Sequence, residues 1–460
     1  MAGGHESRAS NVVQRILDLD DETVARSLDD AMQRFAARHR DLADIFRQHA
    51  ARIGNRLRAE VELSDERWLL LGATFTHEYS VEAAALCNPS MVVHPDQSTV
   101  PTGSARFVMS VRCIGEGHRS SIGFREGVID DHGHVSVDPP VPCPVIGTTH
   151  DAELQRTVFH RHLRDARQDG ETAAFVLDGL GVTFTSLELE ERLTALGQQH
   201  DTRRNVNATI ARLRAIAARS YRVDFSDDVE LSRRILWPAI AAESHGIEDA
   251  RFVRFTDDDG SVVYHATYTA YDGTSIRQQL LTTHDFAAFD VSSIAGSAAT
   301  NKGLALFPRR IKGLFAALSR CDRETNSIAF SDDPRLWDHT TTIQVPTQPW
   351  EVIQLGNCGP PIETPEGWLV LTHGVGPMRT YSIGAILLDL DDPTVVIGQL
   401  SEPIITPADD ERDGYVPNVV YSCGGLLAGD TLVIPYGVSD TSTSIATMRW
   451  SDLRTALVGA

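Results

Sequence analysis

Short β-type runs recur along much of this chain, and turn residues separate them; no other feature restricts the fold as strongly. Met91-Val-Val93, Arg106-Phe-Val-Met-Ser-Val-Arg112, Arg251-Phe-Val-Arg-Phe255, Trp368-Leu-Val-Leu371, Ala385-Ile-Leu-Leu388 and Thr431-Leu-Val-Ile434 have the length and β-branched or aromatic content of strands. Asp257-Asp-Asp-Gly260, Tyr271-Asp-Gly273 and Asp391-Asp-Pro393 are turn signals. Many short strands with frequent turns imply a sandwich, a barrel or a propeller, and periodicity does not choose among them. No Trp-Asp repeat is visible to settle the matter.

Two blocks differ. From about 20 to 57, Val24, Leu28, Met32 and Phe35, then Leu42, Ile45 and Ile53, recur near the helical period. From about 151 to 220, Leu154, Val158 and Leu163, then Leu193 and Leu196, then Ile210, Leu213 and Ile216, form further apolar stripes. Such stripes read as packing faces. A short helix is expected over 228–236, ending before Pro238. The expected organisation is an N-terminal helical extension (1–60), a first β part (61–150), a helical insertion (151–236) and the remaining β part (237–460).

The 460 residues suffice for one large domain with appendages or for two to three ordinary ones. Hydrophobic content of 42% and charged content of 23% fit a soluble globular chain with a sizeable core. The net charge of −21 disfavours nucleic acid and anionic membrane as partners, since both need basic surface. Cys87, Cys113, Cys143, Cys321, Cys358 and Cys423 form no Cys-x-x-Cys and read as reduced thiols. Met1 to Arg8 lacks the apolar region of a secretory signal, and no run approaches the ~20 apolar residues of a membrane span. A cytoplasmic location is the expectation.

Glu243-Ser-His-Gly-Ile-Glu-Asp-Ala-Arg251 sets Glu248 and Asp249 beside Arg251 where a polar loop meets a strand-like run. Taken alone, Glu-Asp-x-Arg reads equally as a solvated loop whose charges pair with one another. Four further segments bear on it. They are Cys87-Asn-Pro-Ser90 with Arg112 and Gly117–Arg125; Asn301-Lys-Gly-Leu-Ala-Leu-Phe-Pro308, running on to Arg320; Gly359-Pro-Pro-Ile-Glu-Thr-Pro-Glu-Gly-Trp368 with Thr372-His-Gly-Val375 and Ala385–Asp389; and Tyr436-Gly-Val-Ser-Asp440.

In this order the segments resemble glycoside hydrolase family 130, the β-mannoside phosphorylases and related β-mannosidases, over about 80–148 and 237–448. The resemblance implies a mainly β chain, a five-bladed β-propeller with the active site in its central cavity, the helical blocks being additions. It implies an inverting phosphorylase that cleaves β-linked mannosides with inorganic phosphate to give α-mannose 1-phosphate, without metal or other cofactor. Asp249 matches the catalytic aspartate, thought to pass its proton through the sugar 3-hydroxyl. Lys302, Arg320 and His373 match phosphate-binding positions, which suits an anionic nucleophile held by a guanidinium fork and a point charge. Asn88, Ser90, Arg112 and Asp440 match residues lining the mannosyl site.

Three positions depart from the family pattern: Ala250 and Cys321 stand where proline is usual, and Thr372 where an aromatic is usual. With Ala250 the loop holding Asp249 is expected to be less rigid. A hydrolase would need a base carboxylate instead of the cations, and Glu363 is the candidate for it. A non-catalytic carbohydrate-binding propeller is the third reading. Trp368 is expected in the core. The 151–236 insertion is expected to cover the cavity or to build a homo-oligomer interface.

Overall fold

The computed structural model describes residues 8–54, 62–199 and 203–459. It divides into two compact units, residues 1–80 with 141–143, and residues 81–140 with 144–460. The expected boundary at 60/61 lies outside the described residues.

The first unit is helical. Helices Arg8–Leu17, Asp21–Phe35, Leu42–Gly54 and Asp65–Thr74 bury Val13, Ile16, Val24, Leu28, Leu42, Phe46, Leu70 and Leu71 against one another. Asp20 caps the second helix by accepting from Thr23 N at 2.7 Å. The single helical stretch expected over 20–57 is broken at 36–41, where Asp41 takes a left-handed φ of 51°. Helix Asp65–Thr74 escaped the periodicity reading because Trp68 to Ala73 is apolar without a break. It fits because Gly72 lies against the backbone of Phe46, where a Cβ would come 1.8 Å from the carbonyl oxygen.

The second unit is mainly β. Strands Ala85–Val93, Ala105–Ile114 and Ser120–Ile129 form one antiparallel sheet. Strands Gly246–Thr256, Val262–Tyr271, Ile276–Thr283 and Ala288–Ser293 form a second, joined edge to edge with the first by the parallel pair Gly246 and Ser120, so that the two are continuous through twelve strands with the short ones at their edges. A four-stranded sheet spans Ala305–Gln344, a five-stranded one Gln354–Gln399, and a four-stranded one Val420–Arg449. The last sheet is hydrogen-bonded back to the first, Cys423 N to Pro89 O at 2.8 Å and Leu86 N to Thr441 O at 3.1 Å. All six strand-like runs read from the sequence lie in strands. Trp368 is fully buried, edge-on to Phe307.

Between the first two sheets lie helices Arg156–Asp165, Glu171–Leu177, Ser186–Gly197 and Val206–Ala217. They close over their own core of Leu154, Phe159, Leu163, Val176, Leu193 and Leu213. Thr185 and Glu188 form a capping box at the start of the third. The chain then returns to β structure: Tyr221–Asp224 pairs with Ala288–Ser293. The helix expected over 228–236 is instead one turn, Leu231–Arg233, followed by strand Arg234–Leu236 on the first sheet. A free sheet edge at Ile122 and Gly123 outcompetes a helix too short to propagate before Pro238.

Candidate active site

A cavity of about 500 Å³ is lined by side chains from all five sheets or the loops beside them. It brings together Asn88, Arg112, Asp249, Lys302, Arg320, His373 and Asp440, seven of the eight residues singled out in the sequence. Ser90, the eighth, is fully buried and does not line it; its Oγ accepts from Phe252 N at 3.1 Å and ties the first strand to the strand carrying Asp249.

Asp249 lies inside strand Gly246–Thr256 rather than in the loop expected to hold it. The register with the neighbouring strand slips between Glu248 and Arg251, a β-bulge, and Asp249 adopts φ 57°. Ala250 is 4% exposed in this strand and packs in the core beside Ile247 and Phe252. Asn88 repeats the device: a register slip between Cys87 and Ser90 and φ 49°. Asn301 (φ 69°) and Asp440 (φ 50°) are likewise left-handed. Such backbone is costly for non-glycine residues and clusters where side chains must be re-aimed.

Asn88 Nδ2 donates to Asp249 Oδ1 at 2.7 Å. Arg251, itself 1% exposed, donates from Nη1 to the Asp249 carbonyl at 2.8 Å and from Nη2 to Tyr421 OH at 2.9 Å. Its Nη2 also stands 3.8 Å from Asp249 Oδ2, and Arg112 Nη1 stands 3.9 Å from Oδ1. Burial pushes the Asp249 carboxyl pKa up, but Arg112, Arg251, Lys302 and the Asn88 donor outweigh it and hold it below the ordinary value. Asp440 goes the other way: burial and the Asp249 charge raise it.

Glu248 joins the cations. It accepts from Arg112 Nη2 at 2.7 Å and from Lys302 Nζ at 2.6 Å, so one carboxylate positions two basic groups. Arg320 and His373 sit together beside Gly356, where a Cβ would come 2.3 Å from Arg320 Nε and 2.7 Å from His373 Cε1. Arg320 Nε and both His373 ring nitrogens are buried without a hydrogen-bond partner among the described residues. Burial, then the charges of Arg320 and Arg251, hold His373 neutral, well below the usual histidine range. Tyr381 stacks on its ring at 6.0 Å and Tyr421 meets it edge-on at 5.0 Å. Unpartnered donors in a polar cavity are what an incoming oxyanion or sugar hydroxyl satisfies.

Glu363 does not belong to this constellation. It is 44% exposed and paired with Arg309 at 2.8 Å. Among the cavity-lining residues the carboxylates are Asp249 and Asp440. Gly117, His118 and Arg119 line an adjoining cavity of about 390 Å³, which shares Arg112 with the first. Arg125 is buried against Glu82 at 2.6 Å.

Sequence reasoning missed Tyr381, Tyr421, Gln354, Arg323 and Arg379, which also line the cavity. Only Tyr421 carried a signal, the Cys423-Gly-Gly425 close approach that follows it: a Cβ on Gly424 would meet Ser90 Oγ at 2.9 Å.

The family model described as beta-1,4-mannooligosaccharide phosphorylase matches residues 223–455, half of the chain. The chain belongs to glycoside hydrolase family 130. Relatives within this family include a 1,2-beta-oligomannan phosphorylase of Thermoanaerobacter sp., 33% identical over 231 residues, which are 49% of this chain and 76% of that protein. A beta-1,2-mannobiose phosphorylase of Listeria innocua is 35% identical over 225 residues, covering 47% of this chain and 62% of the relative. A solved structure of a Listeria innocua beta-1,2-mannobiose phosphorylase with beta-1,2-mannobiose superposes with a TM-score of 0.50 at 23% identity, over 84% of this chain and 94% of that one. Membership in family 130 makes the chain an enzyme, in keeping with a glycoside phosphorylase.

Proposed function

We propose that the chain is an inverting glycoside phosphorylase that cleaves β-linked mannosides with inorganic phosphate, reversibly, to give α-mannose 1-phosphate. The observation that carries this reading is one cavity holding Asp249 together with Lys302, Arg320 and His373. The phosphorylase names of its relatives support it. Phosphate is the co-substrate, and the reaction needs no cofactor.

In this reading Asn88, Arg112 and Asp440 hold the mannosyl unit, with Ser90 positioning Asn88 and Asp249 from behind. Phosphate, held by Lys302, Arg320 and His373, attacks the anomeric carbon. The C–O bond to the leaving sugar breaks as the new C–O bond to phosphate forms, and the leaving oxygen takes its proton from Asp249 by way of the sugar 3-hydroxyl. The free Asp249 is held ionised, so it must gain its proton as the site fills. Sugar displaces water, and a phosphate anion offsets the cations that depress the carboxyl.

The five successive sheets, the last bonded back to the first, support a five-bladed β-propeller that starts after residue 80, not at 61, since helix Asp65–Thr74 belongs to the helical unit; it takes in 81–150 and 237–460, with 151–236 added. A cytoplasmic location and self-association through the helical insertion belong to the same reading. Exposed Val182 and Leu187 offer such a contact.

A β-mannoside hydrolase is the second reading. Glu363 is too far from the chemistry to serve it, paired as it is with Arg309 outside the cavity. Asp440, beside Asp249 and with a raised pKa, would be its base. The test is phosphate release from α-mannose 1-phosphate across a panel of sugar acceptors, with Asp249→Asn as control. Acceptor-dependent release that disappears in the variant supports phosphorolysis. Phosphate-independent hydrolysis of β-mannosides, abolished by Asp440→Asn, would replace it.

A further inference from the structure

A second basic cavity lies where the helical insertion meets the second sheet. Its volume is about 310 Å³, and its lining includes Arg212, Arg219, Arg277, His162 and Asp165. Arg212 is on helix Val206–Ala217, Arg219 just beyond it, Arg277 on strand Ile276–Thr283, and His162 on helix Arg156–Asp165. Asp165 is the one carboxylate in this lining, and it pairs with Arg161 at 2.7 Å. None of the guanidinium groups of Arg212, Arg219 and Arg277 makes a hydrogen bond or ion pair among the described residues, and Arg212 Nε is fully buried.

Arg219 is 7% exposed, so a cation has been taken out of water without an anion to meet it. A chain with 63 acidic residues against 42 basic ones does not lack partners for three arginines. Burial and the charges of Arg277 and Arg212 press the Arg219 pKa down to about 10. The same surroundings, burial first and then Arg219, push His162 down to about 3, so it is neutral and bonds Ser293 Oγ through Nε2 at 2.9 Å. Converging guanidinium forks that nothing neutralises are the arrangement that a multiply charged oxyanion satisfies, each fork offering two parallel donors.

We propose that this cavity is a second anion site, distinct from the catalytic one, that binds phosphate or the phosphate group of a monoester between Arg212, Arg219 and Arg277. Ile276 and Asn301 line both cavities, so the two adjoin. The inference rests on this cavity's own residues; only the Lys302→Ala background of its test draws on the proposed function.

The test is calorimetric titration of the full chain carrying Lys302→Ala, which weakens phosphate binding in the catalytic cavity. Inorganic phosphate and a hexose 6-phosphate are the two probes. One binding event per chain is expected with at least one probe. It should weaken tenfold or more when Arg277→Gln is added, and again with Arg219→Gln in its place. Arg277 is exposed, so its variant keeps the parent melting temperature and separates binding from folding even if Arg219→Gln unfolds. Tighter binding of the hexose phosphate assigns the site to a monoester; tighter inorganic phosphate assigns it to the free ion. Absence of binding by both probes, or binding that Arg277→Gln leaves unchanged, overturns the proposal.

Discussion

Asn88 donates to Asp249 at 2.7 Å across 161 residues of sequence, and both residues stand at β-bulges with left-handed backbone. Each bulge interrupts the alternation of its strand, and the two side chains meet at the cavity wall. The pair explains how a carboxylate that is 6% exposed remains ionised: a fixed amide donor and flanking guanidinium groups replace its water.

The two cavity carboxylates should respond oppositely to neutralisation. The folded pKa of Asp249 is depressed, so its charge contributes stability above the ordinary value of 3.8, lost as pH falls through the folded value. The folded pKa of Asp440 is raised, so the folded state is favoured at acid pH and that advantage is lost as pH rises through the folded value. Asp249→Asn should therefore lower Tm at pH 7, and Asp440→Asn should raise it. The Asp440 difference should close as pH falls to the ordinary value, while the Asp249 difference narrows only below it, towards its folded value; Tm measured from pH 3 to 8 checks the signs. With Asp249 as the proposed general acid, Asp249→Asn should also lower kcat by about 10²–10⁴-fold.

Gly356→Ala probes the end of the cavity that holds Arg320 and His373. The added methyl would sit 2.3 Å from Arg320 Nε and 2.7 Å from His373 Cε1, and its φ brings no backbone strain to confuse the result. Overpacking should cost about 1–3 kcal/mol in urea unfolding. With Arg320 and His373 displaced, KM for phosphate should rise more than KM for the mannoside.

Tyr421→Phe removes one hydroxyl while keeping the ring edge that meets His373 at 5.0 Å. Arg251 Nη2 then loses its 2.9 Å partner inside the protein. An unsatisfied buried donor should cost about 1–3 kcal/mol in denaturant unfolding. A cost near zero would show that Arg251 relies on Asp249 alone.

Glu363→Gln should leave turnover unchanged and alter stability by no more than about 1 kcal/mol, because an exposed pair with Arg309 contributes little. A kinetic comparison with the unmodified chain decides it; loss of turnover would restore Glu363 as a base.

The strands and the motifs that fill the cavity were legible because they rest on local chemistry. Trp368-Leu-Val-Leu371 is apolar whatever surrounds it, and Asn88, Asp249, Lys302, His373 and Asp440 stand in short ordered motifs. Other features were not legible, since they arise where distant segments meet. Helix Asp65–Thr74 depends on Gly72 lying against Phe46. Strand Arg234–Leu236 depends on a free edge at Ile122 and Gly123.

The sequence by itself determined a mainly β chain with two helical blocks, and its motif order, through the family resemblance, singled out Asp249, Lys302, Arg320 and His373. Hydrophobic period, turn residues and motif order are properties of consecutive residues. Tertiary structure alone decided that Glu248 holds Arg112 and Lys302 together, that Ser90 lies behind the site and that Glu363 lies outside it. It also brought Arg212, Arg219 and Arg277 to one cavity with no carboxylate partner among the described residues. The reason is physical: burial and pairing depend on which side chains from remote segments come within a few ångströms, and that distance is set only once the sheets have packed.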